Sequence, residues 1–320
     1  MISSDADDSM GAAGTGGTGA FGAGTGGASR ADAGGMGAGG TGGGGMGAFG
    51  ARLRAAMDER GPLCVGIDPH GSLLRDWGLP DDVSGVERFG RTVVEALAGR
   101  VAVLKPQSAF FERFGSRGIG VLETVIADAR AAGALVLLDV KRGDIGSTMQ
   151  AYAAAYLDPA APLAVDAVTV SPYPGFGALR PALDAARTHG TGVFVLALTS
   201  NPEGAAVQRA VGADGRSVAQ SVVDGAAAAN AGAVPLGSVG LVIGATVAEA
   251  GVDLSALNGP ILAPGLGAQG GTPADLRRLF GATAAVLPAT SRDLLRHGPA
   301  VSGLRDAADR TLDHVRAALG

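Results

Sequence analysis

Eight short apolar runs, each followed by a polar or glycine-rich break and then an alanine-rich stretch of helical length, recur from about residue 51 onward. They are Leu63 to Asp68, Val101 to Lys105, Ala134 to Lys141, Ala167 to Ser171, Val193 to Thr199, Gly240 to Thr246, Pro260 to Pro264 and Ala284 to Leu287. Runs this continuous read as strands buried on both faces, and strands that alternate with helices pair in parallel through right-handed crossovers. Eight such units in roughly 270 residues predict a (β/α)8 TIM barrel over residues 51–320. A doubly wound open sheet is the alternative, but it wants a glycine-rich nucleotide turn after the first strand. Gly66-Ile-Asp-Pro-His-Gly71 lacks that spacing.

Residues 1–50 carry almost no large apolar side chains, only Gly, Ala, Ser and Thr in quantity. Such a segment cannot bury enough surface to offset its ordering entropy, so it is expected to be a disordered tail. It also holds Met46, from which translation would lead straight into a helix. With a net charge of -5 and no Lys/Arg cluster, a phosphate-tracking nucleic-acid surface is not expected. No apolar run reaches membrane-spanning length, and the acidic N-terminus lacks a secretory signal. The single cysteine, Cys64, cannot form an internal disulfide and fits a reducing, cytoplasmic setting. The four histidines are too scattered for a zinc site, and nothing in the sequence requires a metal or cofactor.

In a parallel barrel, function sits at the C-terminal ends of the strands. The polar residues fall there: Asp68, Lys105, Asp139, Lys141, Ser171, Thr199 and Ser200. Lys105 and Lys141 are the only lysines in a chain with 25 Lys+Arg. An arginine can hold an anion but cannot pass a proton, whereas a lysine can do both. On a strand, Asp139 and Lys141 share one side while Leu138 and Val140 face the helices, so both charges are expected in the barrel mouth. Gly143 permits a turn, Asp144 lies beyond it, and a helix begins near Ser147. Flanking carboxylates keep the Lys141 ammonium charged, ready to stabilise and then protonate a carbanion. The same string also fits a salt bridge that merely closes a strand end.

Asp139-x-Lys141-x-x-Asp144-Ile145, preceded by strand-terminal Lys105, resembles the signature of orotidine 5'-phosphate decarboxylase. Val65-Gly-Ile-Asp-Pro-His70, Leu104-Lys-Pro-Gln-Ser-Ala-Phe-Phe-Glu112 and Asp139-Val-Lys-Arg-Gly-Asp-Ile-Gly-Ser-Thr148 resemble its bacterial type 2 branch. The resemblance covers nearly everything after the tail. It implies cofactor-free decarboxylation of orotidine 5'-monophosphate to uridine 5'-monophosphate, the last step of de novo UMP synthesis. It also assigns roles. Asp139 would face the substrate carboxylate, Lys141 would stabilise the C6 carbanion and deliver the proton, and Lys105 would brace Asp139 and contact ribose. Asp68 would bind a ribose hydroxyl. Asp144, with Thr148 beside it, would reach into a neighbouring subunit's site, which makes the chain a homodimer.

The phosphate end is read from the loops after strands seven and eight, where barrels commonly bind phosphate. Ala263-Pro-Gly-Leu-Gly-Ala-Gln-Gly-Gly271 is expected to present backbone N–H groups and the Gln269 amide, and Arg292 can grip phosphate oxygens bidentately. Ser171, in Ser171-Pro-Tyr-Pro-Gly175, aligns with a base-contacting segment, and Pro288 stands where a glycine or asparagine is more usual. Gln107 and Ser108 could line the site, Tyr173 is read as packing, and His70 as a turn cap. The stretch from Asn201 to Val239 is long for a crossover and suits a mobile lid. Two other functions fit the same residues. One is a magnesium-dependent sugar-phosphate decarboxylase or aldolase of the same barrel suprafamily; the other is a catalytically silent nucleotide-binding dimer.

Overall fold

A computed structural model describes residues 47–281 and 285–319. Eight parallel strands close into one barrel in sequence order: β1 (Cys64–Ile67), β2 (Val103–Pro106), β3 (Leu135–Arg142), β4 (Ala167–Val170), β5 (Gly192–Leu198), β6 (Val239–Ile243), β7 (Ile261–Pro264) and β8 (Val286–Thr290). Each lies at the apolar run that predicted it. The largest shift is in β8, which continues through Pro288 to Thr290. A proline usually ends a central strand, yet here closure holds the segment on both sides: Pro288 is in register with Ala263 of β7, and Ala289 and Thr290 with Cys64 and Val65 of β1. The extra residues carry Ser291 and Arg292 to the barrel mouth.

Side-chain alternation divides each strand between two cores. Outward residues such as Val65, Leu104, Leu138 and Val168 pack under the helices. Inward, every strand contributes to a second cluster: Cys64, Val103, Leu137, Ala167, Phe194, Val242, Leu262 and Leu287. Helix Phe49–Arg60 adds Phe49, Leu53, Ala56 and Met57 to that layer and so closes the end of the barrel where the strands begin. Phe49 meets Phe194 edge-on at 6.0 Å between ring centroids. Arg52 ties the helix down by an ion pair of 2.5 Å to the buried Asp166, whose other oxygen accepts from the Val136 N–H at 2.9 Å.

This helix corrects the expected boundary at residue 50, because Phe49 and Gly50 are buried and helical. Phe49 anchors the helix together with Leu53 and Met57, since all three enter the inner layer ringed by the strands. The rest of the expected tail, residues 1–46, lies outside the described residues. The close fit carries a prediction. A Cβ on Gly192 would sit 2.2 Å from the Phe49 ring, so Gly192→Ala should overpack the plug and cost about 2 kcal/mol. Thermal unfolding should show the loss as a Tm lowered by a few degrees.

The region from Asn201 to Val239 is more regular than a lid of that length implies. Helix Val218–Ala229 supplies the crossover to β6, which leaves the 3-10 turn Pro202–Gly204, helix Ala205–Gln208 and the residues up to Ser217 as the excursion. Gln208 pins its base to β5, accepting from the Thr199 N–H at 3.0 Å and donating to the Thr199 hydroxyl at 2.7 Å.

Candidate active site

Two residues beyond the apolar inner layer, the same face of each strand carries Gly66, Lys105, Asp139, Thr169, Leu196, Gly244, Pro264 and Ala289. All eight line one cleft of about 420 Å³ at the C-terminal end of the barrel. The period-two rule thus builds the site as the next layer of the core, polar on β2, β3 and β4. A larger hollow of about 750 Å³ lies along helices Arg180–His189 and Val218–Ala229. It contains none of the strand-end polar groups, so chemistry belongs to the smaller cleft.

Asp139 is the hub. Its Oδ1 accepts from Lys141 Nζ at 2.6 Å and from the Thr169 hydroxyl at 2.7 Å, and its Oδ2 accepts from Lys105 Nζ at 3.0 Å. The Gln107 amide, oriented with its nitrogen towards the carboxylate, donates to Oδ2 at 2.9 Å. Burial disfavours the Asp139 charge, but the two ammoniums and the hydrogen bonds from Lys141 and Thr169 outweigh it and hold the carboxyl well below the usual carboxylate range. Burial likewise disfavours the Lys105 charge, and the carboxylates of Asp139 and Asp68 overcome it and hold the ammonium above its ordinary value.

The sign of the pH dependence follows. Asp139 stabilises the fold above its unfolded value near 3.9 and loses that contribution as pH falls below it; Lys105 contributes fully below about 10.4. Asp139 and Lys105 therefore both stay charged from about pH 5 to pH 9. The Tm difference between wild type and Asp139→Asn should be flat across that range and shrink as the pH drops below about 4.

Lys141 reaches Asp139 by a route that strand alternation did not foretell. The β3–β4 register shifts between Leu138 and Arg142, and Lys141 takes a left-handed φ of 46°. A residue with a Cβ holds such a conformation only where its surroundings enforce it. Here the Thr169 hydroxyl accepts from the N–H groups of both Val140 and Lys141, at 3.1 and 3.0 Å.

Of the residues expected in the site, Asp68, Lys105, Asp139, Lys141, Gln269 and Arg292 line the one cleft. Among the described residues, the buried Oδ1 of Asp68 has no hydrogen-bond partner, nor has the neighbouring Ser291 hydroxyl. Asp144, Thr148 and Ser171 do not line it. Asp144 accepts from the Ile145 N–H at 2.7 Å, Thr148 is exposed on helix Gly146–Leu157, and the Ser171 N–H is bonded to the Arg142 carbonyl at 2.8 Å. The Ser171 N–H joins the third and fourth loops, and Thr169, one inward position earlier, faces the cleft.

The glycine loop uses part of its backbone on itself. Gly265, Gly267 and Gly270 have positive φ, as a tight turn requires. The N–H groups of Gly267, Gly270 and Gly271 close that turn, onto the carbonyls of Gly271, Gly267 and Gly265 at 2.9, 2.7 and 3.0 Å. Those three amides are internal, while the N–H groups of Ala268 and Gln269 take no backbone acceptor among the described residues, and both residues line the cleft together with Arg292. His70 makes no side-chain cap hydrogen bond; it lines the cleft with its ring 4.2 Å from that of Phe110, and burial lowers its pKa. Tyr173 is 84% exposed, so it is not a packing residue within the chain. Gln107 lines the cleft, whereas the Ser108 hydroxyl donates to Glu112 at 2.6 Å outside it. Thr169 was missed because it sits inside the apolar run Ala167-Val-Thr-Val170; its position two residues after Ala167 was the available signal.

Residues 61–303 match the Orotidine 5'-phosphate decarboxylase / HUMPS family. The chain belongs to that family. Curated relatives named orotidine 5'-phosphate decarboxylase include one from Salinispora arenicola, 70% identical over 272 residues that span 85% of this chain and 98% of the relative. Another, from Streptomyces coelicolor, is 65% identical over the same shares of the two chains. A solved structure from Streptomyces avermitilis, assigned as an orotidine 5'-phosphate decarboxylase, superposes with a TM-score of 0.84 at 64% identity, covering 86% of this chain and 97% of its own. The relatives similar over nearly their whole length carry the decarboxylase name.

Proposed function

We propose that this chain converts orotidine 5'-monophosphate to uridine 5'-monophosphate and carbon dioxide, the last step of de novo UMP synthesis, in the cytoplasm. The observation that carries the reading is the alternating Lys105–Asp139–Lys141 array on the floor of a cleft whose rim holds Gln269 and Arg292. Arg292 grips the phosphate through its guanidinium and Gln269 donates its amide to it. Asp68, with a buried oxygen free to accept, takes a ribose hydroxyl.

These contacts hold C6 of the pyrimidine over the array. The Asp139 carboxylate, already ionised by its ammonium neighbours, faces the substrate carboxylate, and that like-charge contact is relieved as carbon dioxide leaves. The C6–carboxylate bond breaks with its electron pair remaining on C6. Lys141 stabilises the developing carbanion and then transfers an Nζ proton to it, regaining one from water. The charges are fixed before reaction, so little reorganisation accompanies the step.

Both Asp139 oxygens accept from Lys105, Lys141 and Thr169. That use of the carboxylate favours charge stabilisation over magnesium binding. Purified, metal-stripped protein should therefore consume orotidine 5'-monophosphate, followed by its loss of absorbance, with a rate unchanged by EDTA. Absence of turnover defeats the reading, and a rate abolished by EDTA and restored by magnesium favours the sugar-phosphate chemistry instead.

A homodimer completes the site. Asp144 stands outside its own cleft on a loop whose Ile145 is 63% exposed, close in sequence to exposed Thr148. A second copy covering the exposed Ile145 would receive Asp144 into its own site. Cys64 takes no part: burial pushes its thiol up to about 12, against the opposing pull of Lys105, so it stays neutral.

A further inference from the structure

We propose that Thr169 is the positioning residue of the Lys141–Asp139 pair, holding the backbone bulge that turns Lys141 into the cleft and orienting the carboxylate oxygen that Lys141 contacts. The inference rests on the decarboxylase reading and adds a residue to it. A hydroxyl has one proton to donate and two lone pairs with which to accept. In Thr169, 1% exposed, all three are used: the proton goes to Asp139 Oδ1 at 2.7 Å, and the lone pairs receive the Val140 and Lys141 N–H groups at 3.1 and 3.0 Å. The β3–β4 ladder is interrupted between Leu138 and Arg142, and the hydroxyl serves these two amides where the strand register shifts. Without it, two backbone donors lose their acceptor and the left-handed Lys141 backbone loses its restraint. The same oxygen of Asp139 that Thr169 holds is 2.6 Å from Lys141 Nζ, so one side chain sets both the direction of the lysine and the place where it is met.

Thr169 touches no reacting atom in this arrangement. It acts through Lys141 and Asp139, so its loss should fall on kcat and spare the binding of phosphate and ribose at the other end of the cleft. Valine keeps the shape of threonine without the hydroxyl, and serine keeps the hydroxyl. Thr169→Val should lower kcat by about 30-fold, the scale of effect expected when a reacting group is displaced by a fraction of an ångström. Its dissociation constant for uridine 5'-monophosphate, measured by calorimetry, should stay within about threefold of wild type, and Thr169→Ser should keep kcat within about threefold.

A Thr169→Val enzyme with wild-type kcat overturns the inference. So does an equal loss of kcat and nucleotide affinity, or a serine variant as impaired as the valine one, since each marks a role in general packing. If valine prevents folding, Thr169→Ala provides the same hydroxyl-free test. Failure of both to fold while the serine variant folds assigns Thr169 to stability and overturns the inference as well. Wild-type protein inactive on orotidine 5'-monophosphate defeats the decarboxylase reading itself, a result separable from all of these.

Discussion

Lys141→Ala should abolish measurable turnover of orotidine 5'-monophosphate while leaving uridine 5'-monophosphate bound within a few-fold of wild type. The Lys141 ammonium is the group that meets Asp139 at 2.6 Å while remaining accessible to a ligand, with its side chain 45% exposed against 8% for Lys105. Its removal takes away both the charge opposite the carbanion and the proton that ends the reaction. Loss of one preorganised charge typically costs 10²–10³ in rate, and loss of the proton donor adds about 10²–10⁴. Lys141→Arg should fail nearly as completely, because a guanidinium keeps the charge without a transferable proton. Nucleotide binding should survive, since Arg292, Gln269 and Asp68 come from other strands. Normal turnover by Lys141→Ala would exclude the proposed mechanism. Equal loss of turnover and binding would instead assign the lysine to holding the cleft together.

The second large effect is a rescue. Asp144→Ala and Lys141→Ala should each be inactive alone and regain activity when their subunits are exchanged by mild dissociation and mixing. In a mixed dimer, one site receives both substitutions and the other receives neither. With random reassortment of a two-fold symmetric dimer, about a quarter of all sites are intact, so activity should approach about 25% of wild type. Each protein kept separate supplies the baseline. If Asp144 acts within its own chain, every mixed dimer still holds two damaged sites and mixing restores nothing. The experiment thus reads both the oligomer and the direction in which Asp144 reaches, and it needs only active-site titration and a rate.

Much of this molecule was legible because strand burial and strand position are local properties. Val-, Leu- and Ile-rich runs cannot be left in water, and their alternation with alanine-rich helices admits few topologies, so all eight strands were found near their observed places. Lys105 and Asp139 were legible for the same reason: each lies two residues beyond an apolar inner-layer residue, Val103 and Leu137, and so must face the barrel axis. Phe49 was misplaced because one aromatic amid glycine and alanine gives almost no periodic signal; its anchorage comes from Phe194, which is distant in sequence and adjacent in space.

The sequence by itself determined the parallel barrel, the end at which chemistry occurs, and the charged residues able to perform it. Local apolar patterning and side-chain chemistry are sufficient for those three. Only the tertiary structure decided how the charges meet. The left-handed turn at Lys141 depends on a hydroxyl from Thr169, thirty residues from Asp139 along the chain. The glycine-loop amides of Gly267, Gly270 and Gly271 turn inward because a closed turn satisfies them. The Ser171 N–H completes the junction with Arg142. In each case a backbone polar group had to find a partner, and which partner it found depended on strand register and loop approach, which are properties of neighbours in space.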